Sequence, residues 1–116
     1  MTFPKISADA TPGEFNELMS QARQASDLLK ALSHETRLLI LCLLSEGEKS
    51  VSELEEIMSM PQAAVSQQLA RLRFDKLVLT RREGRMIYYR IASDEVGGII
   101  EQLYGMFCSP VRTPVK

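Results

Sequence analysis

Four helical patterns, a basic two-strand hairpin and a fifth helical pattern, in that order, predict a mainly α fold with a small β-hairpin. This is the winged helix-turn-helix order, α-α-α-α-β-β-α. Three observations carry the prediction: apolar residues at helical spacing from residue 14 onward, a hairpin signal at 78–91, and a segregation of charge. Residues 62–90 hold seven basic and two acidic residues, whereas residues 1–58 hold five basic and ten acidic ones. The formal net charge of the chain is only −1, so its cations are sorted onto one helix and one hairpin. That sorting is the footprint of a surface that meets nucleic-acid phosphate.

Residues 1–13, with Pro4, Pro12, Gly13 and no periodicity, read as a flexible N-terminal arm. Residues 109–116, with Pro110 and Pro114, read as a flexible C-terminal tail. The domain between them spans 14–108. Its first helix runs from Glu14 to Leu32, with Phe15, Leu18, Met19, Ala22, Ala25, Leu28, Leu29 and Leu32 at three- and four-residue spacing. Ser33 suits the cap of the second helix, with Glu35 in its first turn. Leu38 to Leu44 is apolar almost all round, which marks a helix buried on most sides, and Glu46-Gly47-Glu48 ends it. Ser50 with Glu53 forms a capping box for the third helix, which carries Val51, Leu54, Ile57 and Met58. Pro61 suits the first turn of the fourth helix, where Val65, Leu69 and Leu72 share one face. Val78–Arg82 and Arg85–Ile91 alternate around a Glu83-Gly84 turn. Ser93-Asp94-Glu95 caps the last helix, with Val96, Ile99, Ile100, Leu103, Tyr104 and Phe107 as a broad apolar stripe.

At 116 residues, with 45% apolar and 25% charged residues, the composition is that of one ordinary small domain. Such a domain buries only about two-thirds of its unfolded surface, so an unpartnered apolar helix face suggests a second subunit. No apolar run reaches the roughly 18 residues that span a bilayer, and no basic-then-apolar leader opens the chain. A cytoplasmic protein without membrane contact is expected, its two cysteines thiols unless engaged in transient or redox-sensing disulfides. No Cys-x-x-Cys motif is present and no histidine adjoins either cysteine, so thiol enzymology is not supported. No cofactor is expected.

The third and fourth helices make the helix-turn-helix, and the hairpin is the wing. Gln62, Ser66 and Gln67 are the candidates for base edges in a major groove, with Ala63 small enough for close approach. Arg71 and Arg73 lie at or near phosphates, and Arg81, Arg82 and Arg85 of the wing suit phosphate or minor-groove contact. A solvated polar helix beside a charged, edge-protecting hairpin is the bland reading. It explains each part alone but not their combination with the charge sorting.

These residues resemble the ArsR/SmtB family of dimeric bacterial repressors. The similar stretches are Ala31-Leu32-Ser33-His34-Glu35-Thr36-Arg37-Leu38, Ser50-Val51-Ser52-Glu53-Leu54, Val65-Ser66-Gln67-Gln68-Leu69, and Arg82-Glu83-Gly84-Arg85 followed by Tyr88-Tyr89. The resemblance covers about residues 20 to 105. It implies a homodimer joined through the first and last helices on palindromic double-stranded operator DNA. Metal-sensing members carry a Cys-x-Cys type motif where this chain has Ser50, Val51 and Ser52, or Asp and His on the last helix. Asp94, Glu95 and Glu101 are present here, but the single histidine is His34 on the second helix. No metal site is therefore expected.

Cys42 lies in the apolar run Leu39–Leu44 and Cys108 ends the last helix; on residue grounds alone, free cysteine is a small buried hydrophobe. The resemblance adds a further expectation, because this placement is similar to the thiol-sensing branch of the family, the biofilm- and sulfide-responsive repressors. It implies that Cys42 and Cys108 are joined by an oxidant or reactive sulfur species, which releases the repressor from its operator. A metal-responsive repressor with an unrecognised ligand set is the alternative, and a winged helix that binds only protein is a more distant one.

Overall fold

The structure, a computed structural model, describes residues 11–108, with the side chain of Cys108 outside the description. The chain divides into two units, Met1–Lys30 and Ala31–Lys116. The described part of the first unit is helical: helix α1 spans Pro12–Leu32, its last two residues belonging to the second unit. It starts two residues before the expected Glu14. The Thr11 hydroxyl accepts the Glu14 N–H at 3.1 Å and the Thr11 carbonyl accepts the Phe15 N–H at 2.9 Å. Pro12 then takes the first helical position, where its missing N–H costs nothing. Phe15, Leu18, Met19 and Leu29 are all exposed along α1. The rest of the expected arm, residues 1–10, and the expected tail, 109–116, lie outside the described residues.

The second unit follows with α2 (Glu35–Ser45), β1 (Lys49–Ser50), α3 (Val51–Met58), α4 (Gln62–Phe74), β2 (Val78–Glu83), β3 (Met86–Ile91) and α5 (Asp94–Leu103). A π-helical turn, Tyr104–Cys108, extends α5. This is the winged helix-turn-helix order, with one strand more than the sequence predicted. The two-residue β1 pairs with β3 through Lys49–Tyr89 and Ser50–Tyr88, giving an antiparallel sheet in the order β1-β3-β2.

Local chemistry sets the boundaries. His34, not Ser33, occupies the cap position of α2; its backbone is extended and its carbonyl accepts the Leu38 N–H at 2.9 Å. The expected capping box of α3 forms, with Ser50 Oγ accepting from Glu53 N–H at 3.1 Å and Glu53 accepting from Ser50 N–H at 2.9 Å. Pro61 caps α4 from outside its first turn, with φ −60° and ψ 149°. At the other end of α4 the chain reverses through Lys76, whose φ is 60°. Lys76 N–H bonds Arg73 carbonyl at 3.0 Å and Leu77 N–H bonds Leu72 carbonyl at 2.9 Å. This is the paired bonding of a Schellman ending, closed by the two buried leucines. The hairpin turn sits one residue later than expected: Glu83 pairs with Met86, so Gly84 and Arg85 are the central residues. Gly84, at φ 62°, supplies the positive φ that a two-residue turn needs at its first central position.

The core is formed by Ile40, Leu41, Leu43 and Leu44 of α2, Leu54 of α3, Val65, Leu69 and Leu72 of α4, Leu77 and Val78 entering the wing, and Val96 and Ile100 of α5. Complete burial of such side chains stabilises by about 1.5–3 kcal/mol each. The α2 run is buried on most sides as predicted, with Leu39 the exposed exception. Arg37 binds it to α4, donating to Gln68 at 3.1 Å and to the Ala31 carbonyl at 3.3 Å. No helix among the described residues is long and apolar enough to cross a membrane.

Candidate nucleic-acid interface

Burial of Val65, Leu69 and Leu72 fixes the rotation of α4, and everything on the opposite face follows. Gln62, Ala63 and Gln67 are exposed, and Ser66 is half-buried beside them. Gln68, one residue further round, is half-buried and occupied by Arg37. Ser59 makes the sharp turn between α3 and α4 in a left-handed conformation, φ 52° and ψ 44°. Pro61 offers the first N–H groups of α4 no side-chain cap, while its carbonyl accepts from the Ala64 and Val65 N–H groups at 3.0 and 3.2 Å. Arg71 and Arg73 lie on the last turn, both exposed. Arg71 pairs with Asp75 at 3.2 Å, an exposed i,i+4 contact of the kind worth about 0.3–0.5 kcal/mol and easily exchanged for a phosphate.

The wing brings its tip close to the start of α4. A groove of about 160 Å³ is lined by Ser50, Val51, Ser52 of the α3 entry, Gln62 of α4, and Arg85, Met86 and Ile87 of the wing. The structure therefore places Gln62 and Arg85 on one concave surface. Arg82 is exposed on β2, opposite Ile87 in the register. Arg81 stands apart from the other two: it donates three hydrogen bonds to Glu48, at 2.9, 2.8 and 2.7 Å, and one to Glu83 at 2.7 Å. Reading the wing arginines as equivalent missed this, since Glu48 is 33 residues away in sequence.

Of the two cysteines, Cys42 is buried in α2, 3% exposed, and its carbonyl accepts the Ser45 hydroxyl at 2.5 Å. Cys108 is the last residue of the π-helical turn. Helix α5, which the π-helical turn extends, packs on α2, and the Tyr104 hydroxyl donates to Glu46, the C-cap of α2, at 2.9 Å. Cys42 precedes Glu46 by four residues and Cys108 follows Tyr104 by four. No group of three or more His, Cys, Asp or Glu is placed to hold a metal ion among the described residues.

The sequence matches the family model described as bacterial regulatory protein, arsR family, over residues 34–78. It is 46% identical over 90 residues to the biofilm growth-associated repressor of Agrobacterium fabrum, covering 78% of this chain and 77% of that protein. It is 42% identical over 97 residues to the transcriptional activator HlyU of Vibrio cholerae, covering 84% of this chain and 90% of the relative. The fold superposes on the crystal structure of the transcriptional repressor BigR from Xylella fastidiosa with a TM-score of 0.78 at 37% identity, covering 85% of this chain and 98% of that one. These similar proteins are transcriptional regulators and not enzymes.

Proposed function

The chain belongs to the arsR family of bacterial regulatory proteins and is a DNA-binding transcriptional regulator, and from that premise we propose that it is a thiol-switched repressor. It acts as a homodimer on a palindromic operator in double-stranded DNA, in the cytoplasm. Helix α4 enters the major groove, with Gln62, Ser66 and Gln67 at base edges, Ala63 allowing close approach, and Arg71 and Arg73 near phosphates. Arg82 and Arg85 bring the wing to the phosphate backbone or minor groove. Each unit offers exposed apolar residues to a partner subunit: Phe15, Leu18, Met19 and Leu29 of α1 in the first, and Ile99 of α5 with Met106 and Phe107 of the π-helical turn in the second.

The inducing event is a crosslink between Cys42 and Cys108. Closing a disulfide removes two protons and two electrons from the thiols, which the oxidant takes up. A reactive sulfur species can serve as both sulfur donor and oxidant: two thiols and two sulfane sulfurs give a trisulfide bridge and one hydrogen sulfide, the second sulfane sulfur taking up the two electrons and two protons. The observation that carries this reading is the Tyr104–Glu46 hydrogen bond, which ties the turn ending at Cys108 to the helix holding Cys42. A span of four helical residues is about 6 Å, so Cys42 and Cys108 each lie about one turn along the chain from that tie. The name of the Agrobacterium fabrum relative supports repression, and that of the Vibrio cholerae relative supports the opposite sign on transcription.

Because both half-sites must match the spacing of successive grooves at once, a small shift of the dimer helices lowers affinity at both. Peptide mapping under non-reducing conditions, after treatment with a disulfide-forming oxidant or an organic persulfide, tests the chemistry. The expected product is an intramolecular Cys42–Cys108 peptide, either two hydrogens lighter than the separate thiols or carrying added sulfur. Recovery of both cysteines as separate peptides from protein that has released DNA would contradict it.

A further inference from the structure

The wing arginines differ in what they touch, and the difference has a geometric origin. Strands β1 and β2 flank β3 on opposite sides, so a β2 side chain reaches the residues entering β1 only by crossing the central strand. Arg81 makes that crossing. It faces Tyr88 in the register, and its guanidinium carbon lies 4.6 Å from the centre of the Tyr88 ring. Beyond the ring, Nε and Nη2 donate to the Glu48 carboxylate, while Nη1 donates to Glu83. All three nitrogens are thus engaged, so a phosphate would have to compete with two carboxylates for this one guanidinium.

Glu48 stands two residues before Ser50, and Ser50 both pairs with Tyr88 and caps α3. One end of the ion pair is therefore fixed to the entry of the helix-turn-helix and the other to the wing. Bidentate arginine–carboxylate geometry constrains direction as well as distance. The Arg81 hydrogen bonds, with the nearby Arg90 charge adding to them, hold the Glu48 carboxyl below its ordinary range. Both partners remain accessible, with side-chain exposures of 48% for Arg81 and 28% for Glu48. Their contribution is orientation more than stability.

We propose that Glu48 and Arg81 are positioning residues: their ion pair clamps the wing to the start of the helix-turn-helix, aims Arg82 and Arg85 at the DNA, and leaves Arg81 without a phosphate contact. This rests on the assignment of Arg82 and Arg85 as the wing's contacts.

The probe is a fluorescent duplex selected by the wild-type protein from a random-sequence pool, with binding followed by anisotropy from low to moderate salt. Circular dichroism melting of each variant checks that the fold is retained. Glu48→Gln removes a negative charge, yet it lowers affinity about fivefold, within the range of couplings inside one ion-pair network. Arg81→Lys keeps the charge, loses the fork, and falls by a similar factor. The Glu48→Gln/Arg81→Gln double variant is no weaker than either single one. Tighter binding by Glu48→Gln, a steeper salt dependence, or affinity unchanged from wild type would each overturn the clamp. Wild-type affinity in Arg81→Lys would overturn it too, since a phosphate contact survives that change and a clamp does not. Arg82→Gln and Arg85→Gln isolate the underlying assignment: if they bind as wild type, the wing reading has failed, whereas if they weaken binding while Glu48→Gln strengthens it, only the clamp has failed.

Discussion

Arg85→Gln is the most informative single perturbation of the interface. Arg85 is exposed at the second central position of the hairpin turn, and it shares a groove with Gln62 at the start of α4. A glutamine keeps a polar side chain in the turn and leaves the positive φ to Gly84, so the melting temperature should be unchanged. Each phosphate neutralised contributes about 0.9 to the slope of log affinity against log salt on duplex DNA. In a dimer the substitution removes two contacts, and the slope should flatten by about 1.8. Referred to 1 M salt, where this term vanishes, each lost contact corresponds at 0.1 M to about eightfold in affinity, so the pair corresponds to about sixtyfold. Anisotropy titrations of wild type and variant at four or five salt concentrations read both quantities from one data set. Equal slopes for the two proteins would refute the assignment, whatever happened to the affinity at any single salt.

Ser50→Ala tests the capping box, whose two hydrogen bonds lie at a residue only 1% exposed. Loss of a cap costs about 0.5–2 kcal/mol, a fall of several degrees in thermal melting, and an unchanged midpoint would exclude it. Tyr104→Phe removes the hydroxyl that binds Glu46 and leaves the ring; reduced protein should bind DNA as wild type but lose less affinity on oxidation, and an identical oxidative response would sever this link. The clamp carries its own pH signature. Because the Glu48 value in the folded chain lies below the ordinary 4.5, its contribution is fully present above that value and is lost as pH falls through the lower, folded one. The stability difference between wild type and Glu48→Gln should therefore be constant at neutral pH and vanish in acid, and a difference that disappears between pH 7 and 6 would contradict it.

Much of this fold was legible because its signals are local. The Ser50–Glu53 box, the Val65, Leu69, Leu72 stripe and the glycine-centred hairpin each operate within a few residues, and all three formed. What escaped was fixed by distant parts of the chain. Strand β1 is two residues long and exists only because Tyr88 and Tyr89 offer partners about 40 positions later. His34 rather than Ser33 caps α2, a one-residue choice in a stretch where the side chain makes no capping bond. At the interface, the exposed face of α4 followed from its apolar stripe, whereas charge counting could not separate Arg81 from Arg82 and Arg85. Only the register across β3 and the position of Glu48 distinguish them. The same holds for Gln68, a polar residue of the reading helix that the fold assigns to Arg37.

The proposed switch stands or falls on whether the sulfur chemistry of Cys42 and Cys108 governs DNA affinity. The direct measurement is the dissociation constant of the selected duplex for reduced and oxidant- or persulfide-treated protein, in wild type, Cys42→Ser and Cys108→Ser. Treatment should weaken the wild type about 5- to 150-fold, the usual span of coupling between two sites, and restoring reductant should recover it, while both serine variants stay at the reduced affinity throughout. Serine variants that let go of the duplex on treatment as readily as the wild type would contradict the account.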